Sequence, residues 1–107
     1  MNARGGADRP RREKPDQRRD AAEGIAIEAL SFLATDPERI ARFLALTGLT
    51  PQTLRAAAAT PGFLGAVMEH VTADSSLLLT FAANAGRDPE EIARAREILI
   101  GPPVPEP

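Results

Sequence analysis

The sequence predicts an all-α fold: a compact bundle of five or six short helices behind a disordered N-terminal tail. Three observations point to it. A Thr or Asp stands immediately before a Pro at 36–37, 50–51, 60–61 and 88–89. Such a pair suits a helix start, because the side-chain oxygen accepts from a first-turn amide and proline needs no N–H at the first helical position. Apolar residues recur at helical spacing behind these pairs. Gly48, Gly86 and Gly101 follow the last periodic residues, where a left-handed residue ends a helix.

Taken in order, residues 1–20 hold two Pro, two Gly and almost nothing apolar, and such a segment cannot repay the entropy of ordering. They read as a disordered Arg-rich tail, with Asp20 as cap of a first helix over 21–34. That helix is apolar on more than half its circumference (Ala22, Ile25, Ala26, Ala29 and Leu33, widened by Ile27, Leu30 and Phe32), so it belongs near the centre. Gly24 permits a close crossing there. The second helix, 37–47, opens on Asp36-Pro37 and closes at Gly48. It presents Ile40, Phe43 and Leu44 inward and Arg39 and Arg42 to solvent. The third, about 51–58, starts at Thr50-Pro51 with Leu54 as its anchor. The fourth, about 61–72, starts at Thr60-Pro61, buries Phe63, Leu64, Val67, Met68 and Val71, and offers Gly62 and Gly65 for close approach.

Asp74 caps a fifth helix over about 75–85, the most apolar segment of the chain. Asp88-Pro89-Glu90-Glu91 opens the sixth with a near-complete capping box. Gly101-Pro102-Pro103 stops it, and 101–107 form a flexible Pro-rich end. The helical domain is therefore residues 21–100. Its expected core is Ile25, Ala29, Leu33, Ile40, Phe43, Leu44, Leu54, Phe63, Val67, Val71, Leu78, Phe81, Ile92 and Leu99.

Charge is unevenly divided. Residues 1–20 carry seven basic and four acidic side chains, and the remainder carries six basic and eleven acidic ones. An acidic body repels nucleic acid, so only the tail could attract a polyanion, and its own acids dilute that attraction. Cysteine is absent, which removes disulfides and thiolate metal sites. No apolar run is long enough to span a membrane, and no apolar block follows the N-terminal charges. The expected location is cytoplasmic.

Catalytic chemistry has little to stand on. His70 is the only histidine, so preferred zinc or di-iron ligands are too few. It reads as a surface or partly buried histidine near a helix end, with Asp74 four residues on. Asp88, Glu90 and Glu91 lack the alternate spacing of a calcium loop. Nothing points to a cofactor, a metal or a small-molecule ligand. The sequence reads as a non-enzymatic protein-interaction domain, contacting a protein partner or a second copy. Leu77 and Leu79 are its candidate contact residues, because so small a domain hides only part of its apolar surface. The alternative is nucleic-acid binding through residues 46–55 and the basic tail. There Gly48-Leu49 resembles a helix-hairpin-helix turn, Thr50 replaces the usual second glycine, and Arg55 adds a contact.

The segment 21–99 resembles a family of small alphaproteobacterial proteins of unknown function, numbered 3572. The shared features are A-x-x-x-L-x-F-L-A at Ala26–Ala34, D-P-E-R-I-x-R-F-L-x-x-T-G-L at Asp36–Leu49, and Leu54-Arg55. F-L-x-x-V at Phe63–Val67 and A-x-x-A-G-x-D-P-E at Ala82–Glu90 complete them. The resemblance implies a helical fold and a cytoplasmic protein, and no catalytic residues.

Overall fold

A computed structural model gives the architecture of residues 15–101. Residues 1–14 of the tail expected at 1–20, and 102–107 of the end expected at 101–107, lie outside the described residues. Six helices and no strand occur among the described residues: α1 (Pro15–Ala34), α2 (Pro37–Thr47), α3 (Pro51–Ala58), α4 (Phe63–Thr72), α5 (Ser75–Ala85) and α6 (Pro89–Ile100).

α1 begins at Pro15, six residues before the expected start, and Asp20 lies inside it rather than capping it. Extending an existing helix costs far less than nucleating one. The buried half of α1 supplies the nucleus, and no proline or glycine interrupts the chain between Pro15 and Gly24. Asp16 sits in the first turn, and Arg19 pairs with Glu23 one turn on at 3.3 Å. The residues from Asp16 to Ala21 are exposed, so this turn adds length and no core.

α1 is central. It packs most extensively on α6 and α4, and also on α2 and α5. Its apolar side buries Ala22, Ile25, Ala26, Ala29, Phe32 and Leu33. α4 lies across α1 and α6, burying Phe63, Gly65, Val67, Met68 and Val71. α6 adds Ile92 and Ala95. Nine of the fourteen expected core residues are fully buried, and the other five (Ile40, Leu44, Leu54, Leu78 and Leu99) pack against the core half-exposed. α5, the most apolar segment in sequence, buries only Phe81 and Ala82, because α1 and α4 occupy the middle.

The starts at Asp36, Thr50 and Asp74 are built as the sequence implies. Asp36 accepts from the Glu38 and Arg39 amides at 2.9 and 3.3 Å. Thr50 and Thr53 form a reciprocal capping box, and Asp74 accepts from the Leu77 amide at 3.1 Å. Two other starts differ. Thr60 does not cap α4; its hydroxyl donates back to the Ala57 carbonyl at 2.7 Å, closing α3. α4 begins two residues later, after Gly62 at φ 91. In α6, Asp88 accepts from Glu90, but Glu91 does not complete the box, because its carboxylate is taken by Arg87.

The close helix crossing is at Gly65 and not at Gly24 or Gly62. A Cβ at Gly65 would collide with Cγ2 of Ile100 from α6, whereas nothing lies near either of the other two.

Candidate functional site

Two concave regions flank α5. The first is an apolar groove of about 520 Å³ along the seam of α1 and α5, lined by Ile27, Glu28, Ser31, Phe32, Thr35, Phe81, Asn84 and Ala85. Its floor is the tilted ring pair Phe32–Phe81, with centroids 5.4 Å apart. The short side chains of Ser31 and Ala85 leave the groove unfilled. Ile27 forms one wall and stands 54% exposed.

One charged residue, Glu28, lines this groove, and it is matched. Arg87 follows Gly86 (φ 68), which ends α5. Its Nε and Nη2 each donate at 2.8 Å to the two oxygens of Glu28, and Nη1 donates to Glu91 at 2.8 Å. A planar guanidinium suits that bidentate geometry. The hydrogen bonds from Arg87 hold the Glu28 carboxyl below its usual range, and the Glu28 bond in turn raises Arg87. Arg87 thereby ties α1 to the first turn of α6.

The second region is a polar pocket of about 330 Å³, formed by α2, the end of α4 and the start of α5. Arg39, Arg42, His70, Asp74, Ser76, Leu77 and Thr80 line it. Arg39 is not simply solvated, as the sequence implied. Its guanidinium lies 4.7 Å from the Phe32 ring centre and 3.3 Å from Asp36, a stacked and paired arrangement that fixes it. Arg42, one turn on, has no ion pair among the described residues. The His70 ring meets Phe43 edge-on at 5.2 Å. Burial lowers the His70 pKa, Arg42 lowers it further, and Asp74 opposes both. The imidazole is therefore neutral at pH 7.

The residues singled out by sequence fall apart in space. Leu77 is half-buried and lines the polar pocket, whereas Leu79 is 56% exposed. Two positions apart on a helix, they project to nearly opposite sides, so they form no common patch. At the 46–55 turn, Gly48 adopts φ 76 and its N–H goes to Leu44. The Leu49 amide also goes to Leu44, at 3.0 Å, and the Thr50 amide goes to Thr53 Oγ1 at 2.9 Å. These three amides are spent within the chain. Arg55 is exposed. Among the described residues no group of three or more His, Cys, Asp or Glu could hold a metal ion, and no helix is long and apolar enough to cross a membrane.

The family model described as "Protein of unknown function (DUF3572)" matches residues 19–102, nearly the whole of the fold just described. The chain belongs to the DUF3572 family. No curated protein and no solved structure matches it. The match begins inside α1 and runs through α6, so both concave regions lie within the DUF3572 portion. Neither region was visible as such in the sequence. The segment Asp36–Leu44 supplies Arg39 and Arg42 to one pocket. Their meeting with His70 and Asp74 depends on how α2 lies against α4 and α5.

Proposed function

We propose that this chain is a non-catalytic interaction domain that pairs with a second copy of itself through the α1–α5 face. One observation carries the reading: an apolar knob, Ile27, and an apolar groove stand side by side on that face. A face bearing both is self-complementary under a twofold axis, since each copy's knob meets the other's groove. Charge supports a neutral occupant. Glu28 is already neutralised by Arg87, so an entering aliphatic side chain strands no lone charge in a buried place. The aromatic floor of Phe32 and Phe81 is the kind of surface that dominates interface energetics when it is covered.

Sedimentation equilibrium over a concentration series tests the pairing. Wild type is expected to show a monomer–dimer equilibrium, and Ile27→Asp is expected to remain helical and become monomeric. The chain contains no cysteine, so Ser31→Cys places a single thiol beside the axis and should form an interchain disulfide faster than an Arg55→Cys control. A wild type that stays monomeric throughout, or a dimer indifferent to Ile27→Asp, overturns the proposal.

A further inference from the structure

We propose that the pocket enclosed by α2, the end of α4 and the start of α5 binds a small zwitterion of the α-amino-acid class. Its carboxylate rests on Arg39 and Arg42, and its ammonium on Asp74. This site shares no lining residue with the α1–α5 groove and does not depend on self-pairing.

The charges of the pocket are segregated. Two guanidiniums one turn apart on α2 form its positive wall, and Asp74 at the head of α5 forms its negative one. His70 lines the same pocket, within electrostatic reach of both Arg42 and Asp74. A plain anion would meet the repulsion of Asp74, and a plain cation that of Arg42, which no acid pairs among the described residues. A molecule carrying both charges satisfies the two walls together. The groups are also prepared for it. Arg39 is fixed by its stacking on Phe32 and its pair with Asp36, so little ordering remains when it binds. Arg42 is left with an unpaired charge among the described residues. Oδ1 of Asp74 is engaged by the Leu77 amide, and its second oxygen is left to accept from an ammonium. The Thr80 hydroxyl donates to the Ser76 carbonyl at 2.8 Å, so toward a ligand it can act only as an acceptor. Leu77 gives an apolar floor for a side chain. At about 330 Å³ the space lies at the small end of ligand sites, which run from roughly 300 to 1,000 Å³. An amino acid is the right scale and a nucleotide is not.

An amide-resolved NMR titration with three matched probes tests this. L-leucine carries both charges. 4-Methylpentanoate has the same body without the ammonium, and 3-methylbutylamine has it without the carboxylate. L-leucine is expected to give saturable shifts at His70, Ser76 and Leu77, with both half-probes clearly weaker. Arg42→Gln should weaken L-leucine by about tenfold or more, the share of a charge-assisted hydrogen bond. Asp74→Asn keeps a good helix cap while removing the charge. It should weaken L-leucine and leave 4-methylpentanoate unchanged or tighter. The wild-type amide pattern elsewhere verifies that both variants fold. No saturable shift with L-leucine overturns the proposal. So does a 4-methylpentanoate affinity equal to that of L-leucine, or an L-leucine affinity unmoved by both substitutions.

Discussion

α4 and the α2–α3 pair hold their helices by opposite means. α4 buries five of its ten residues and has no side-chain cap at its start. α2 buries one residue of eleven, and α3 buries none of eight. Both of these open on a proline behind a side-chain cap, Asp36 serving two amides and Thr50 forming a reciprocal box. Isolated helices of this length are marginal in water. Burial supplies what is missing in α4, and local hydrogen bonds supply much of it in α2 and α3. The polar pocket draws its arginines from the capped arm and its histidine from the body, so it lies across the boundary between the two.

Phe43 is the one buried side chain of the arm, a plug flanked by the half-exposed Ile40, Leu44 and Leu54. It is fully buried, with its ring edge-on to Phe63 at 6.2 Å and to His70 at 5.2 Å. Phe43→Ala should cost about 3–5 kcal/mol, a large part of the ~5–15 kcal/mol that holds a domain of this kind. Denaturant unfolding measures it. A loss under about 1 kcal/mol, small for a buried aromatic, would mean that α2 does not depend on this plug.

The matching change in the body is Gly65→Ala, where the added methyl strikes Cγ2 of Ile100. Overpacking costs about 1–3 kcal/mol, offset by up to about 1 kcal/mol of helix propensity. Ile100→Ala removes the colliding atom. A double-mutant cycle should therefore show the two substitutions less damaging together than the sum of each alone. Strict additivity would show that the α4–α6 crossing relaxes freely.

Thr50→Ala should remove about 1 kcal/mol from α3. Since α3 buries no residue, the expected result is local: faster amide exchange at residues 54–58 with α4 protection unchanged. Equal acceleration in both helices would break the division between capped arm and buried body.

Much of this organisation was legible in the chain because capping is local. Asp36, Thr50 and Asp74 each serve an amide two or three residues on, and the sequence prints both partners together. Thr60 shows the limit of that reading. The same Thr-Pro pair can face backward, and Gly62 in a left-handed turn decides that it does. Gly24 and Gly65 look alike in sequence; only the path of α6 makes one of them indispensable. The early start of α1 was hidden because its added turn is polar and obeys propagation rather than amphipathicity. The opposed directions of Leu77 and Leu79 were deducible from helical geometry alone. The convergence of Arg42, His70 and Asp74 was not, since α2 joins the last two only through the fold. Nor was the clasp of Arg87 on Glu28, which spans 59 residues.

Acid separates the two regions by the order in which they lose stability. His70, on α4 where the body meets the arm, holds a proton less tightly when folded than its ordinary value of 6.5 implies, first through burial and then through Arg42. Protonation therefore favours the unfolded chain. Its contribution is fully present above 6.5 and fades as pH falls from there through the folded value. Glu28, on the body, is also lowered, from an ordinary 4.5, chiefly by its hydrogen bonds to Arg87. Its contribution is present above 4.5 and is lost at still lower pH, as the carboxylate accepts a proton and the clasp opens. The Glu28 side chain is 45% exposed, so solvent screening keeps this effect within about 1 kcal/mol. Denaturation midpoints followed from neutrality down through the carboxylate range should thus decline in two stages. His70→Gln should flatten the first and leave the second, and Glu28→Gln the reverse. A first stage that survives His70→Gln would place the neutral-range proton elsewhere and overturn the claim that the arm–body contact yields to acid before the Glu28–Arg87 clasp.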